Sequence, residues 1–171
     1  RAGVNMLPET VIDVLKCTTH YVAIKEASGD LDQIKKLINL VKENSFDSRF
    51  KVFSGNDSDM MEVVKMGGRG VISVASNVFP NSLVEVTNMC LNGRFDEAKH
   101  YNNVLTRFTK AMFVESNPVP IKFLLHQTGF YSSDRVRLPL VELEENNKKF
   151  VAEEYRTMMS VMEKFENTNS S

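Results

Sequence analysis

The stretch "YVAIKEASGD" (Tyr21 to Asp30) runs through apolar residues to a lysine, then to small residues and a glycine. A lysine at the end of a strand can lay its stem along apolar surface and hold its ammonium in water. It can also be kept dry because its amine reacts. Lowering a lysine pKa by about three units costs roughly 4 kcal/mol and raises the free amine about a thousandfold. Such an amine condenses with a ketone to a Schiff base, whose iminium draws electrons from the adjacent carbon. The local string leaves both readings of Lys25 open.

Two further strand ends carry polar groups. "SGND" (Ser54 to Asp57) and "VISVASN" (Val71 to Asn77) bring hydroxyls, amides and a glycine to what would be the same rim. Gly55 permits close approach of backbone to a ligand. The alternative for "SGND" is a turn in which Asp57 caps the next helix. Gly67, Gly68 and Gly70 read as helix termination and a tight loop.

The elements that must position these residues alternate. "LPETVIDVLK" (Leu7 to Lys16) has Pro8 early and Val11, Ile12, Val14 and Leu15 on one side, which is a helix. Tyr21 to Ile24, Phe50 to Phe53 and Gly70 to Ala75 read as strands, and nearly continuous apolar runs suit burial on both faces. Asp30 caps a helix carrying Leu31, Ile34, Leu37, Ile38 and Val41 at helical spacing. Asp59 to Met66 is helical, and Pro80 opens a helix ending at Asn92 and Gly93. Strict alternation predicts an α/β fold with a parallel sheet and helices outside. No GxGxxG or GxxxxGK[ST] follows a strand, which turns the expectation from a nucleotide-binding open sheet to a closed barrel. Alternation of side chains then points Tyr21, Ala23 and Lys25 one way, with Val22 and Ile24 toward the helices.

From Arg94 onward three helical segments follow, Phe95 to about Val114, Pro118 to about Gln127 and Val141 to about Phe165. The expected organisation is a partial barrel over 1–93, a helical domain over 94–166 and a disordered tail over 167–171. Three strands fall five short of a full barrel, and the chain opens on Arg1, so it reads as the C-terminal portion of a larger enzyme.

The remaining composition excludes more than it proposes. Hydrophobic residues make up 42%, charged residues 25%, and the net charge is −1, the balance of an ordinary globular chain. No basic stripe supports nucleic-acid binding, and no apolar run reaches membrane-spanning length. Cys17 and Cys90 lie in apolar helical patterns and read as reduced core thiols, which fits a cytoplasmic protein. His20, His100 and His126 have no metal-ligand spacing.

Together, "IKEASGDL", "FSGND", "GGRGVISVASN" and "NPVPIKFLL", in this order and followed by "RLPL", resemble the dihydrodipicolinate synthases of bacteria. These are relatives of N-acetylneuraminate lyase among pyruvate-dependent class I aldolases. The resemblance implies a TIM (β/α)8 barrel, of which this chain supplies strands 6–8, with a helical C-terminal domain and a homotetrameric assembly. It implies condensation of pyruvate with aspartate semialdehyde on the way to diaminopimelate and lysine, with no cofactor beyond the covalent Schiff base. Lys25 matches the Schiff-base lysine, and Arg1 the arginine that helps hold the second substrate's carboxylate. Ile72 matches a position whose carbonyl lies close to pyruvate. Gly55 and Asp57 match the loop beside the site.

Asn56 replaces an aspartate of that loop, and Ala2 a threonine. The family's proton-relay tyrosine lies upstream of the position matched by Arg1, so the chain alone is expected to be a poor enzyme or none. Tyr21, Tyr101, Tyr131 and Tyr155 occupy unrelated positions. A neuraminate or ketodeoxysugar lyase, or a non-enzymatic remnant, are the competing readings.

Overall fold

The computed structural model describes residues 3–169. Helix α1 (Pro8–Cys17) starts on its proline and buries Val11, Ile12 and Leu15. Asp30 caps α2 (Leu31–Glu43), its carboxylate accepting the N–H groups of Asp32 and Gln33 at 3.0 Å. The amphipathic face of α2 buries Ile34, Leu37, Ile38 and Val41. These two helices cover one side of a parallel pair, β1 (Ala23–Glu26) and β2 (Lys51–Ser54), in which Lys25 stands opposite Phe53. The first apolar cluster joins α1 and α2 to Phe50 and Val52, with Ile24 half-buried against it.

Strand β1 begins two residues later than the apolar run suggests, so the ladder passes through Lys25 itself. Ile24 turns to the helices as alternation requires, but Val22 is exposed. It lies ahead of the ladder, where its carbonyl accepts the Lys51 N–H at 2.9 Å.

The third expected strand, Gly70 to Ala75, is reduced to a single parallel bridge between Ser54 and Val71. Pairing to β2 survives in the bonds Arg69 N–H to Val52 O, Ser54 N–H to Gly70 O and Ile72 N–H to Ser54 O, all within 2.8–2.9 Å. Beyond Ile72 the backbone leaves the ladder. Val74 N–H goes to the Asp57 carboxylate at 3.0 Å, and Ala75–Asn77 closes into a 3-10 turn. Side-chain capture of a backbone donor outweighs the β-propensity of the run.

Helix α3 (Met60–Met66) ends where Gly67 takes φ +112°. The Gly67 and Gly68 N–H groups then return to Val64 O and Val63 O, as a left-handed helix stop requires. Helices α4 (Pro80–Leu91), α5 (Phe95–Ala111), α6 (Val119–Gln127) and α7 (Glu145–Asn169) build the second cluster. Phe79 is shared between Phe108, edge-on at 5.2 Å, and Tyr155 at 5.6 Å. Arg107 of α5 donates to the buried Glu154 of α7 at 2.6 Å. Helix α7 continues through 167–169, which composition assigns to a tail. Cys90 is buried and burial pushes its thiol pKa up, whereas Cys17, at the last position of α1, is exposed rather than in a core. No helix among the described residues is long and apolar enough to cross a membrane.

The start of α7 is held from outside. Glu115, between α5 and α6, accepts the Asn147 amide at 2.7 Å and the Glu144 N–H at 3.0 Å. The Asn147 hydrogen bond, then that backbone N–H, hold its carboxyl below the usual range. A carboxylate at a helix N-terminus also meets the positive end of the helix dipole. A depressed folded-state pKa contributes stability above the unfolded value and loses it as pH falls through the folded one. Glu115→Gln, which keeps an acceptor but cannot titrate, is therefore expected to flatten the acid limb of thermal stability below about pH 5. Glu115→Ala should cost roughly 0.5–2 kcal/mol at neutral pH, read from urea unfolding.

Candidate active site

Lys25 lies at the C-terminal end of β1, on the face turned away from α1 and α2, and its side chain is exposed. It opens into a cleft of ≈ 690 Å³. One wall is Ile72, Ser73, Val74 and Asn77. The other comes from the second cluster and comprises Asn117, Pro118, Ile121, Lys122 and Leu125, with Tyr131, Ser132 and Ser133 at its rim. The lining thus holds two lysines, two asparagines and several hydroxyls, and among the described residues no carboxylate. The Ser73 hydroxyl, the Asn77 amide and the Lys122 ammonium are spent on Asp57, Val74 O and Arg135 O, which leaves Lys25 to offset the charge of a small keto anion and the Ser132 and Ser133 hydroxyls to meet its oxygens.

Buried carboxylates lie behind the walls instead. Glu26 follows Lys25 on β1 and so points the opposite way, where it is 7% exposed. It accepts the Ser28 N–H at 2.8 Å and the Gln33 amide at 3.0 Å, and Gln33 in turn exchanges two hydrogen bonds with Asn5. This network fixes the turn that leaves β1, and Glu26 and Asp30 line a second cleft, of ≈ 770 Å³, that Lys25 also lines.

Asp57 is not the cap of α3. That helix starts at Met60, with Asp59 before it and no side-chain cap. Asp57 is 3% exposed and accepts both the Ser73 hydroxyl and the Val74 N–H, so it reaches across to the cleft wall. The preceding turn is closed by Ser54, whose hydroxyl donates to Asn56 O at 2.7 Å.

The site residues expected from the sequence fall as follows. Lys25 and Ile72 share the cleft, with Ile72 half exposed. Gly55 does approach a backbone closely, but it is that of β1. Its N–H donates to Glu26 O at 2.6 Å, and a Cβ built on it would stand 2.4 Å from Ala27 Cβ. Arg1 lies outside the described residues.

The sequence reading gave no role to Asn117 or Lys122, although "NPVPIKFLL" contains both, because nothing local says that α6 folds back over β1. Tyr131, which matches none of the family's tyrosines, is also among the residues that line the cleft. Glu26 was legible in principle, since alternation puts it with Ile24 on the helix-facing side, where a carboxylate must find donors.

A comparison with known families decides the kinship. Residues 1–157 match the model of the dihydrodipicolinate synthetase family. The chain belongs to that family. A curated relative from Thermoanaerobacter sp. (strain X514), 4-hydroxy-tetrahydrodipicolinate synthase, is 36% identical over 151 residues, covering 88% of this chain and 49% of the relative. The solved dihydrodipicolinate synthase of Thermotoga maritima superposes with a TM-score of 0.86 at 37% identity, over 92% of this chain and 52% of that one. The chloride-inhibited dihydrodipicolinate synthase of Acinetobacter baumannii, solved in complex with pyruvate, gives a TM-score of 0.80 at 30% identity, over 91% and 51% of the two chains. The chain spans about half the length of the curated relatives it matches.

The contact at Gly55 gives a direct test of how the site is assembled. Gly55→Ala should destabilise the fold by about 1–3 kcal/mol in urea unfolding, since the added methyl meets β1 and not open space. Pairing it with Ala27→Gly removes the 2.4 Å conflict but leaves Ala27 Cα and Glu26 O at 3.0 Å, so the double variant should recover part of the loss.

Proposed function

We propose that this chain is the C-terminal part of a 4-hydroxy-tetrahydrodipicolinate synthase. In this reading β1, β2 and the segment bridged to β2 at Val71 are strands 6–8 of a TIM barrel, with residues 94–166 as its helical domain. The observation that carries it is the placement of Lys25, at the C-terminal end of a parallel strand, in a cleft with a second lysine and no lining carboxylate. The whole protein would condense pyruvate with aspartate semialdehyde in diaminopimelate and lysine biosynthesis, as a cytoplasmic homotetramer.

The chemistry follows from the amine. Uncharged Lys25 Nζ attacks the keto carbon of pyruvate, and loss of water gives an iminium. That iminium takes up the electron pair left when a proton leaves the methyl carbon. The resulting enamine carbon forms the new bond to the aldehyde, whose oxygen takes up a proton, and attack of the second substrate's amine on the iminium closes the ring and frees Lys25. Ile72 and the Asn117 side of the cleft stand where the keto acid would lie, and Gly55 serves by letting the ends of β1 and β2 close together. Arg1 would meet the second substrate's carboxylate. Because Lys25 is exposed in the 171-residue chain, we expect imine formation there to be slow and turnover poor.

Incubating the chain with pyruvate, reducing with borohydride and mapping the digest should place a mass increase on the peptide containing Lys25. Lys25→Arg should abolish it, because a guanidinium forms no imine under these conditions. Absence of the adduct at millimolar pyruvate after an incubation long enough for a slow amine to react, or its persistence in Lys25→Arg, would sink this assignment.

A further inference from the structure

Asp57 is a buried carboxylate with no part in the chemistry of Lys25, yet both its oxygens are committed to the cleft wall. One accepts the Ser73 hydroxyl, and the other accepts the Val74 N–H at 3.0 Å. Ser73 is itself tied in twice more: its oxygen Oγ accepts the Ser76 N–H at 2.9 Å, and its carbonyl accepts the Ser76 hydroxyl at 3.2 Å. Ser73, Val74 and Asn77 all line the cleft that holds Lys25.

The wall needs this support because the sheet does not supply it. After the single bridge at Val71 and the bond from Ile72 N–H to Ser54 O, the backbone from Ser73 onward is no longer paired to β2. A buried carboxylate that accepts a backbone N–H and a hydroxyl replaces the missing ladder with charge-assisted hydrogen bonds in a low-dielectric setting.

We propose that Asp57 is a positioning residue that sets the affinity of the cleft for its keto acid by fixing the backbone from Ser73 to Asn77. The proposal rests on the reading of Lys25 as the imine-forming amine. Asp57 touches neither the amine nor the reacting carbon, so its influence falls on binding and not on the capacity of Lys25 to react. An asparagine in its place keeps one oxygen for the Val74 N–H, but its N–H₂ can only donate to the Ser73 hydroxyl, so the hydroxyl proton loses its acceptor and both bonds lose the carboxylate's charge.

The test is a pyruvate titration of the 171-residue chain, with borohydride trapping quantified on the Lys25 peptide and a circular-dichroism melt of each variant. Asp57→Asn should raise the half-saturating pyruvate concentration about five- to tenfold, and Ser73→Ala about threefold. Trapping at saturation should stay within about twofold of the parent, and the double variant should be no worse than Asp57→Asn alone. Should Asp57→Asn fail to fold, Ser73→Ala, which keeps the carboxylate, decides the matter. An unchanged half-saturation point overturns the proposal, as does a fall in trapping at saturation with half-saturation unaltered. No trapping by the parent chain is a different result: it defeats the Lys25 reading, and this inference falls with it.

Discussion

The whole site is registered through two residues at the end of β2. Ser54 donates its N–H to Gly70 O and accepts the Ile72 N–H, and Gly55 donates to Glu26 O. Three separate stretches of chain therefore meet at Ser54 and Gly55: the one carrying Lys25, the one carrying Asp57 and the one carrying Ile72. Ser54 is fully buried, so these backbone groups have no water to turn to, and each must be paired within the protein. The helices α1 and α2 make this seam stable by burying the other face of the strands, but the seam itself decides which residues face one another.

Charge is sorted around it in a consistent way. The carboxylates of Glu26 and Asp57 lie behind the walls of the main cleft, where they satisfy backbone N–H groups, and the lysines lie in front. The arrangement uses the same physics twice. A buried carboxylate is costly unless it is hydrogen-bonded, so it holds loops in place. A cleft without lining carboxylates leaves the Lys25 ammonium available to an anionic ligand, while that of Lys122 is held by Arg135 O.

Much of this was legible in the residues. Helices with a proline start, an aspartate cap or a glycine stop appear where expected, because these signals act over one turn and depend little on the rest of the chain. Strand alternation turns Lys25 away from the helices, and Ile72 enters by resemblance alone; both line the one cleft. The failures have a common cause. "GVISVA" has the composition of a strand, but a carboxylate 17 residues earlier in the chain takes the Val74 N–H. Asp57 reads as a cap because caps are local, yet its partners are distant in sequence. Asn117 and Lys122 reach the cleft only because α6 packs back against it, a tertiary fact that no local spacing records.

The position of α3 has a consequence for how the molecule comes apart. Val63 belongs to the cluster under the strands, while Met60 and Val64, on the same seven-residue helix, belong to the cluster of the helical part. A helix of two turns does not persist in water without packing. If either cluster is lost, α3 loses one of its faces and with it the order that holds the other cluster's residues in place. Two cores joined by so short a rivet are expected to melt as a single cooperative unit, so the part that carries Lys25 and the part that roofs the cleft keep or lose their order together.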